Sequence, residues 1–322
     1  MPNYLVSSCL GCLLLVSAPG FAEMGDEAPP QLKASQILST GVLSGPHHRV
    51  QERVINDGYM NAYSITSDFG TFQASSTAQL HKRTKEIGAI AQMAEIKGTT
   101  TYGEALSKAG GDVVSGLKNM VTQPVDTLTG AVSGVGKIFQ RTGESLFGNS
   151  RSEAEDSGLK DLIGFSSKKR EYAYTFGVDV YSANPVLQKH LDDMAWAGYA
   201  GGMTLTAAMA PIAGPAGAVM AVSGGARMLN ESIRDNPPTE LRIMNREKLE
   251  KMGVNEDVVD LFIDNAVFSP RDQTMLVDAL DRMSDVGGRS EFVKLAVRTE
   301  QRDVAFFRQR MARMYSVDHP NV

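Results

Sequence analysis

Three aspartates and a histidine crowd into the segment VDVYSANPVLQKHLDD: Asp179, His190, Asp192 and Asp193. A helix opening at Asn184-Pro185, with proline at its first position, puts His190 and Asp193 on one face at i, i+3. Asp179, from the segment before it, completes an acid–base or metal-binding set if the three come within hydrogen-bond reach. If the protein is an enzyme, Asp179, His190 and Asp193 are where its catalysis is expected. The plainer reading of the same residues is a capped, solvated helix face.

The remaining chemical signals fail on spacing. In GAVSGVGKI, Gly130 and Gly136 enclose five residues rather than four, and Ile138 stands where a phosphate loop needs a magnesium-binding hydroxyl. No nucleotide site follows. Side chains of the adjacent pair His47-His48 diverge on a strand, with no acidic residue close in sequence, so no metal site is expected. No cofactor is expected either, and the balance leans against an enzyme. Between residues 288 and 322 the chain carries seven basic and four acidic residues, a net of +3. Arg298, Arg302, Arg310 and Arg313 gather on one side of a helix read from Ser290 through Tyr315, a face suited to solvent, anionic lipid or an acidic partner. The whole chain, at −5, lacks the concentrated basic footprint of a nucleic-acid protein.

The first residues set the compartment. An apolar run from Leu5 to Val16 precedes Ser17-Ala18-Pro19-Gly20-Phe21-Ala22, which reads as a signal peptide over residues 1–22 cut after Ala22. Both cysteines, Cys9 and Cys12, lie inside it, so the mature chain has neither disulfides nor thiol chemistry. Export to the periplasm or the medium is expected, with peripheral membrane association as an option.

Residues 23–45 read as a polar, mobile leader, and residues 46–147 as a small β-sheet with amphipathic helices. Asn56-Asp57-Gly58 signals a hairpin, because its turn needs positive φ. A second turn is expected at Asp68 to Gly70, and Ser76 with Gln79 has capping-box spacing ahead of a helix carrying Leu80, Ile87, Ile90 and Met93. Thr101 and Glu104 suggest a second capping box. Further on, an eleven-residue period puts Leu117, Val121, Leu128, Val132 and Phe139 on one stripe, which adsorbs to the protein's own sheet, to lipid or to a partner.

Residues 148–168 read as a polar linker, and 169–322 as a strand followed by a helical bundle. The strand is placed in EYAYTFGVDVYS, where aromatic and branched residues alternate. Between Asp193 and Arg227 lie 33 uncharged residues, of which eleven are alanine and seven glycine. That is long enough for a membrane span of about 20 residues, yet its four large aliphatics contribute only about −0.3 to −0.6 kcal/mol each to insertion. Pro211 and Pro215 divide it further. Close helix packing at Gly198, Gly201, Gly202, Gly214 and Gly217 explains the composition better, as an Ala/Gly-rich helical hairpin.

The fold class expected is therefore α+β and predominantly helical: a small antiparallel sheet with amphipathic helices, then a C-terminal helical bundle containing the hairpin. The function expected is that of an exported, non-enzymatic envelope protein acting through protein–protein or protein–lipid contacts. An enzyme using Asp179, His190 and Asp193, and a membrane-perturbing secreted effector, are the alternatives. The partner expected is another envelope protein or a membrane surface; the oligomeric state is not set by the sequence.

Overall fold

The computed structural model describes residues 31–109, 153–209 and 224–318. The signal peptide, the stripe residues Leu117, Val121, Leu128, Val132 and Phe139, and Gly214 and Gly217 of the Ala/Gly tract lie outside the described residues. What is described is α+β, mostly helical, with a small curled antiparallel sheet.

The sheet is organised by the Asn56-Asp57-Gly58 turn. β4 (Arg53–Asn56) leads through it into β5 (Asn61–Ser67). Gly58 takes φ 93°, a value that favours glycine, and the Asn56 Oδ1 accepts its N–H at 2.7 Å. Asp57 Oδ1 accepts from the N–H groups of Met60 (2.7 Å) and Tyr59 (2.9 Å), which hold its carboxyl below the usual range. β3 (His48–Val50) and β4 lie end to end along one edge of β5: Val50 faces Ile65, and Ile55 faces Ala62. β6 (Gly70–Ala74) takes the other edge after the tight turn Asp68-Phe69. With one strand flanked on one side by two short ones, the sheet curls, and Tyr63, Ile65, Phe72 and Ala74 all point inward.

Residues 31–45, read from sequence as part of the leader, carry structure. β1 (Gln31–Lys33) pairs antiparallel with β4, the one-turn helices α1 (Ala34–Ile37) and α2 (Thr40–Leu43) follow, and β2 (Ser44–Gly45) pairs with β3. Ala34 N–H donates to the Glu52 carbonyl at 2.8 Å, and Ala34 itself is fully buried.

The inner face of the sheet packs on α3 (Thr77–Lys97), whose Leu80, Ile87, Ile90 and Met93 are fully buried. Ser76 caps it by accepting from Gln79 N–H at 3.1 Å, while Gln79 Oε1 reaches back to Ser75 N–H at 3.0 Å. α4 (Thr100–Lys108) is capped by Thr99, not by Thr101: the Thr99 hydroxyl accepts from Tyr102 N–H, so the helix starts a residue before the expected cap.

The strand expected in EYAYTFGVDVYS is a helix end. α5 (Glu153–Thr175) runs through most of the expected linker and the first five residues of that segment. Tyr172 and Ala173 are adjacent and both buried, which no strand with one solvent face allows. Gly177, at φ 66°, terminates the helix: Val178 N–H bonds the Ala173 carbonyl and Gly177 N–H the Tyr174 carbonyl, the two bonds of a Schellman motif. Asn184 then caps α6 (Pro185–Tyr199), accepting from Val186 and Leu187 N–H. α7 (Leu205–Met209) follows.

α5 and α6 pack together and α6 also lies on α3 and α4. A Cβ at Gly198 would sit 2.8 Å from the Tyr172 ring, and one at Gly201 would sit 2.2 Å from the Ala105 carbonyl oxygen of α4. Gly202 faces open space but takes φ 66°.

A second apolar core forms from residue 249 onward, around Leu249, Val259, Phe262, Leu276, Leu280 and Val293. α8 (Gly224–Asp235) packs on α5, and α9 (Pro238–Lys251), α10 (Glu256–Ile263), α11 (Pro270–Arg282), α12 (Arg289–Val297) and α13 (Arg302–Asp318) follow. Asn255 and Ser269 cap α10 and α11 with side-chain bonds. The single helix expected from Ser290 to Tyr315 is two. Asn265 Nδ2 donates to the carbonyls of Val297 (3.2 Å) and Thr299 (3.0 Å), and the Thr299 hydroxyl bonds the Ala296 carbonyl, so the end of α12 is satisfied without helical continuation. Arg298 therefore does not share a helix with Arg302, Arg310 and Arg313.

Candidate functional site

The chemical set read from the sequence is not brought together. Asp179 lies in the loop after α5 and pairs with Lys82 near the start of α3, at 2.7 Å. Asp193 pairs with Lys97 at the end of α3 and with Lys189 of its own helix at 3.1 Å. Lys82 and Lys97 are fifteen residues apart on one helix, which is about 22 Å along its axis at 1.5 Å per residue. Two lysine side chains cannot close that gap. Each carboxylate is held by its own cation. Burial opposes ionisation of Asp179, but Lys82 and Arg271 outweigh it and hold the carboxyl below its ordinary range. Burial likewise opposes the charge on Lys82, where Asp179 and Glu86 outweigh it and raise the ammonium pKa.

His190 sits near Asp193 but its surroundings suit a neutral ring. Phe69 packs edge-on at 6.3 Å, and Nδ1 is buried with no hydrogen-bond partner among the described residues. Burial, with Lys97 beside it, pushes the imidazole down to about 4. In the unfolded chain it takes a proton near its ordinary 6.5. Stability is accordingly unaffected above that value, falls as pH drops through it, and stops falling below about 4. The expected loss between neutral pH and about pH 5 is about 2 kcal/mol. Urea unfolding of the wild type and His190→Gln at both pH values checks this: only the wild type should show the extra loss, and equal pH dependence in both would refute it.

His47 and His48 also part company. His47 Nδ1 lies 2.9 Å from Asp68 Oδ2, a partner twenty-one residues away, and His48 Nε2 lies 3.1 Å from the Val42 carbonyl oxygen. Among the described residues, no group of three or more His, Cys, Asp or Glu is placed to hold a metal ion.

A different site emerges where the two cores meet. Asp303, in the first turn of α13, accepts from the Ser75 hydroxyl and from Gln79 Nε2 (2.5 Å), which docks α13 against the start of α3. A cavity of about 240 Å³ lies beside this contact. Met60 of the hairpin turn and Ala78 of α3 form one wall, and Phe306, Phe307, Met311 and Met314 of α13 the other. Tyr315 and Val317, farther along α13, are exposed as well, and Tyr59 at the hairpin tip is 94% exposed.

α13 is inverted relative to an ordinary amphipathic helix. Ala305 and Ala312 are fully buried in the second core, whereas Phe307 is 46% and Met314 61% exposed. A helix buries its large apolar side chains where it can, because each is worth about 1.5–3 kcal/mol. Here two alanines and Gln309 face in, Phe306 and Met311 are part-buried, and Phe307 and Met314 face out.

No known family, curated protein or solved structure matches this chain. The site stands on its own geometry.

Its charges are uneven. α13 carries four arginines against two aspartates. Arg308 is used within the fold, on the Leu295 carbonyl and the Thr299 hydroxyl. Arg310 is exposed and lies over the Phe306 ring at 5.9 Å, and Lys82 approaches the same ring at 5.6 Å. Arg313 is half-buried; burial, and then Arg271, Arg310 and Arg282, lower its pKa. Sequence reasoning followed Arg298, Arg302, Arg310 and Arg313 and passed over the apolar residues between them. The spacing of Phe307, Met311 and Met314, at i, i+4, i+7, was the available signal.

Proposed function

We propose that this protein is an exported, non-enzymatic component of the cell envelope that works by holding another protein, and that it does so in the groove between α3 and α13. The observation that carries this reading is the inversion of α13. Phe307 and Met314 lie exposed beside a concave apolar floor while alanines occupy the core positions of the same helix. Covering such half-exposed side chains with a partner contributes about 1 kcal/mol each, concentrated in a central patch as in other interfaces.

In this reading the helices from α9 onward form a C-terminal bundle that presents α13, and the Ala/Gly tract is a helical hairpin packed against the first core. The signal peptide delivers the chain to the periplasm or beyond. Among the described residues no helix is long and apolar enough to cross a membrane, so membrane association, where present, is peripheral in this proposal.

The paired substitution Phe307→Asp, Met314→Asp tests the reading. Both positions are outside the core, so the thermal midpoint should stay within a few degrees of wild type. In gently solubilised host envelopes the wild type should elute in a larger complex and the variant at the size of the free chain. An unchanged elution position would refute docking at this groove.

A further inference from the structure

We infer that the partner is held by strand addition: an extended segment of it pairs with the open edge of β6 and runs on into the groove, where an apolar side chain meets Phe307 and Met314. This rests on the docking reading above and adds the backbone conformation of what is bound.

The open edge follows from the register of the sheet. Gln51 N–H donates to the Ser64 carbonyl at 2.8 Å, so Ser64 turns its main-chain groups toward the β3 side of β5. Tyr63 and Ile65, one residue either way, therefore turn theirs toward β6, where Ala74 and Phe72 stand opposite. Thr71 and Gln73 are left with their N–H and carbonyl groups aimed away from the sheet. Neither residue's main chain has a hydrogen-bond partner outside β5 among the described residues, and both residues are exposed. Main-chain groups in this state are a template for another strand, which supplies a donor and an acceptor at each alternate residue. A helix has none to offer, because its own turns use them.

The other open edges of the sheet are blunted, and this one is not. β1 carries Lys33, and β2 is two residues long and is followed at once by Pro46. β6 reads Gly70-Thr71-Phe72-Gln73-Ala74, five residues with neither a charge nor a proline. It also leads to the groove. Ser75 and Ser76, the next residues of the chain, line the cavity with Met60 and the apolar face of α13. A strand laid along β6 reaches the cavity within a residue or two of Ala74. Its side chains alternate between the face of Phe72 and Ala74 and the solvent face of Thr71 and Gln73, so the bound segment alternates apolar with polar.

A second copy of the chain fits this edge less well. Antiparallel pairing of β6 with itself, Thr71 opposite Gln73, would bring the Asp68-Phe69 turn of the second copy level with Ser75 and Ser76. That turn offers the groove a carboxylate, since Phe69 is already packed against His190.

The test uses the full mature chain and two labelled peptides. One is a ten-residue strand of alternating valine and threonine ending in phenylalanine; the other is the same sequence N-methylated throughout, which keeps the side chains and removes the donors. The first should bind, and its methylated twin at least about tenfold more weakly. On binding, the Thr71 and Gln73 amides should slow in hydrogen exchange, while those of Phe72 and Ala74, already bonded to β5, change little. Gln73→Pro removes an outward N–H at an edge position that tolerates proline, and should lose about tenfold. Gln73→Thr keeps the main chain and should bind as the wild type does. If the proline variant fails to fold, the exchange pattern of the wild type decides alone.

Equal binding of the two peptides, binding of neither, or slowing of exchange that does not alternate along β6 would overturn strand addition. So would a concentration-dependent dimer that Gln73→Pro abolishes, which would give the edge to a second copy. The docking reading is scored separately in host envelopes: release of the complex by Phe307→Asp, Met314→Asp but not by Gln73→Pro overturns strand addition alone, and release by neither overturns both.

Discussion

Glu86→Ala is expected to destabilise the protein by about 3–5 kcal/mol, the largest effect of any single polar substitution in the first core. Glu86 is 1% exposed on α3. Its Oε1 accepts from the Ser182 hydroxyl at 2.6 Å, and its Oε2 accepts from Asn184 Nδ2 at 3.0 Å and Arg83 Nη1 at 2.6 Å. Ser182 and Asn184 belong to the loop that joins α5 to α6, and Asn184 is the cap of α6. One carboxylate thus pins that loop to α3. Removing it leaves two buried donors and a half-buried guanidinium without their acceptor, and loosens the helix cap as well. Glu86→Gln should cost less, because an amide oxygen still accepts one or two of the three bonds. Urea unfolding at neutral pH measures both; a loss below about 1 kcal/mol for the alanine variant would contradict the account.

The second large effect is steric. Gly201→Ala should cost about 3 kcal/mol, at the upper end of overpacking. Its Cβ would lie 2.2 Å from the Ala105 carbonyl oxygen, 2.6 Å from the carbon of that carbonyl and 2.7 Å from the Ala197 carbonyl oxygen. All three are backbone atoms, so no side chain can turn away, and α4 must separate from the end of α6. Gly103→Ala is the matched control: it lies in α4, faces open space, and has an ordinary helical φ. It should be neutral or stabilise by about 0.5–1 kcal/mol through helix propensity. Thermal unfolding of the two variants side by side should separate them by about 10 °C or more. Similar midpoints would show that the α4–α6 contact is looser than described.

These cases show which features are legible in a sequence. Turns and caps are local, and Asn56-Asp57-Gly58, Ser76, Asn184, Asn255 and Ser269 act where their side-chain chemistry places them. Distant partners are not local. Lys82 and Lys97 separate Asp179 from Asp193, yet nothing near residues 179–193 announces either lysine. Alternation misled at Tyr172 to Val180, because the helix ends at Thr175 and the turns after it bury Val178, Asp179 and Val180 in succession. The end of α12 depends on Asn265, more than thirty residues earlier, which no periodicity in 290–315 reveals. The groove was half visible: the arginines of α13 stood out, while its apolar face was indistinguishable from a core face. Only the burial of Ala305 and Ala312, beside the exposure of Phe307 and Met314, shows which face of the helix meets the core.

The most direct test of the central claim is photo-crosslinking in the native host. A photoreactive phenylalanine analogue replaces Phe307 in the groove or, as a control, Leu261 on α10, which is comparably exposed at 59%. The account predicts a discrete protein adduct from position 307, none from position 261, and loss of the adduct when Met314→Asp is added. Lipid adducts alone, or the same products from both positions, would contradict it.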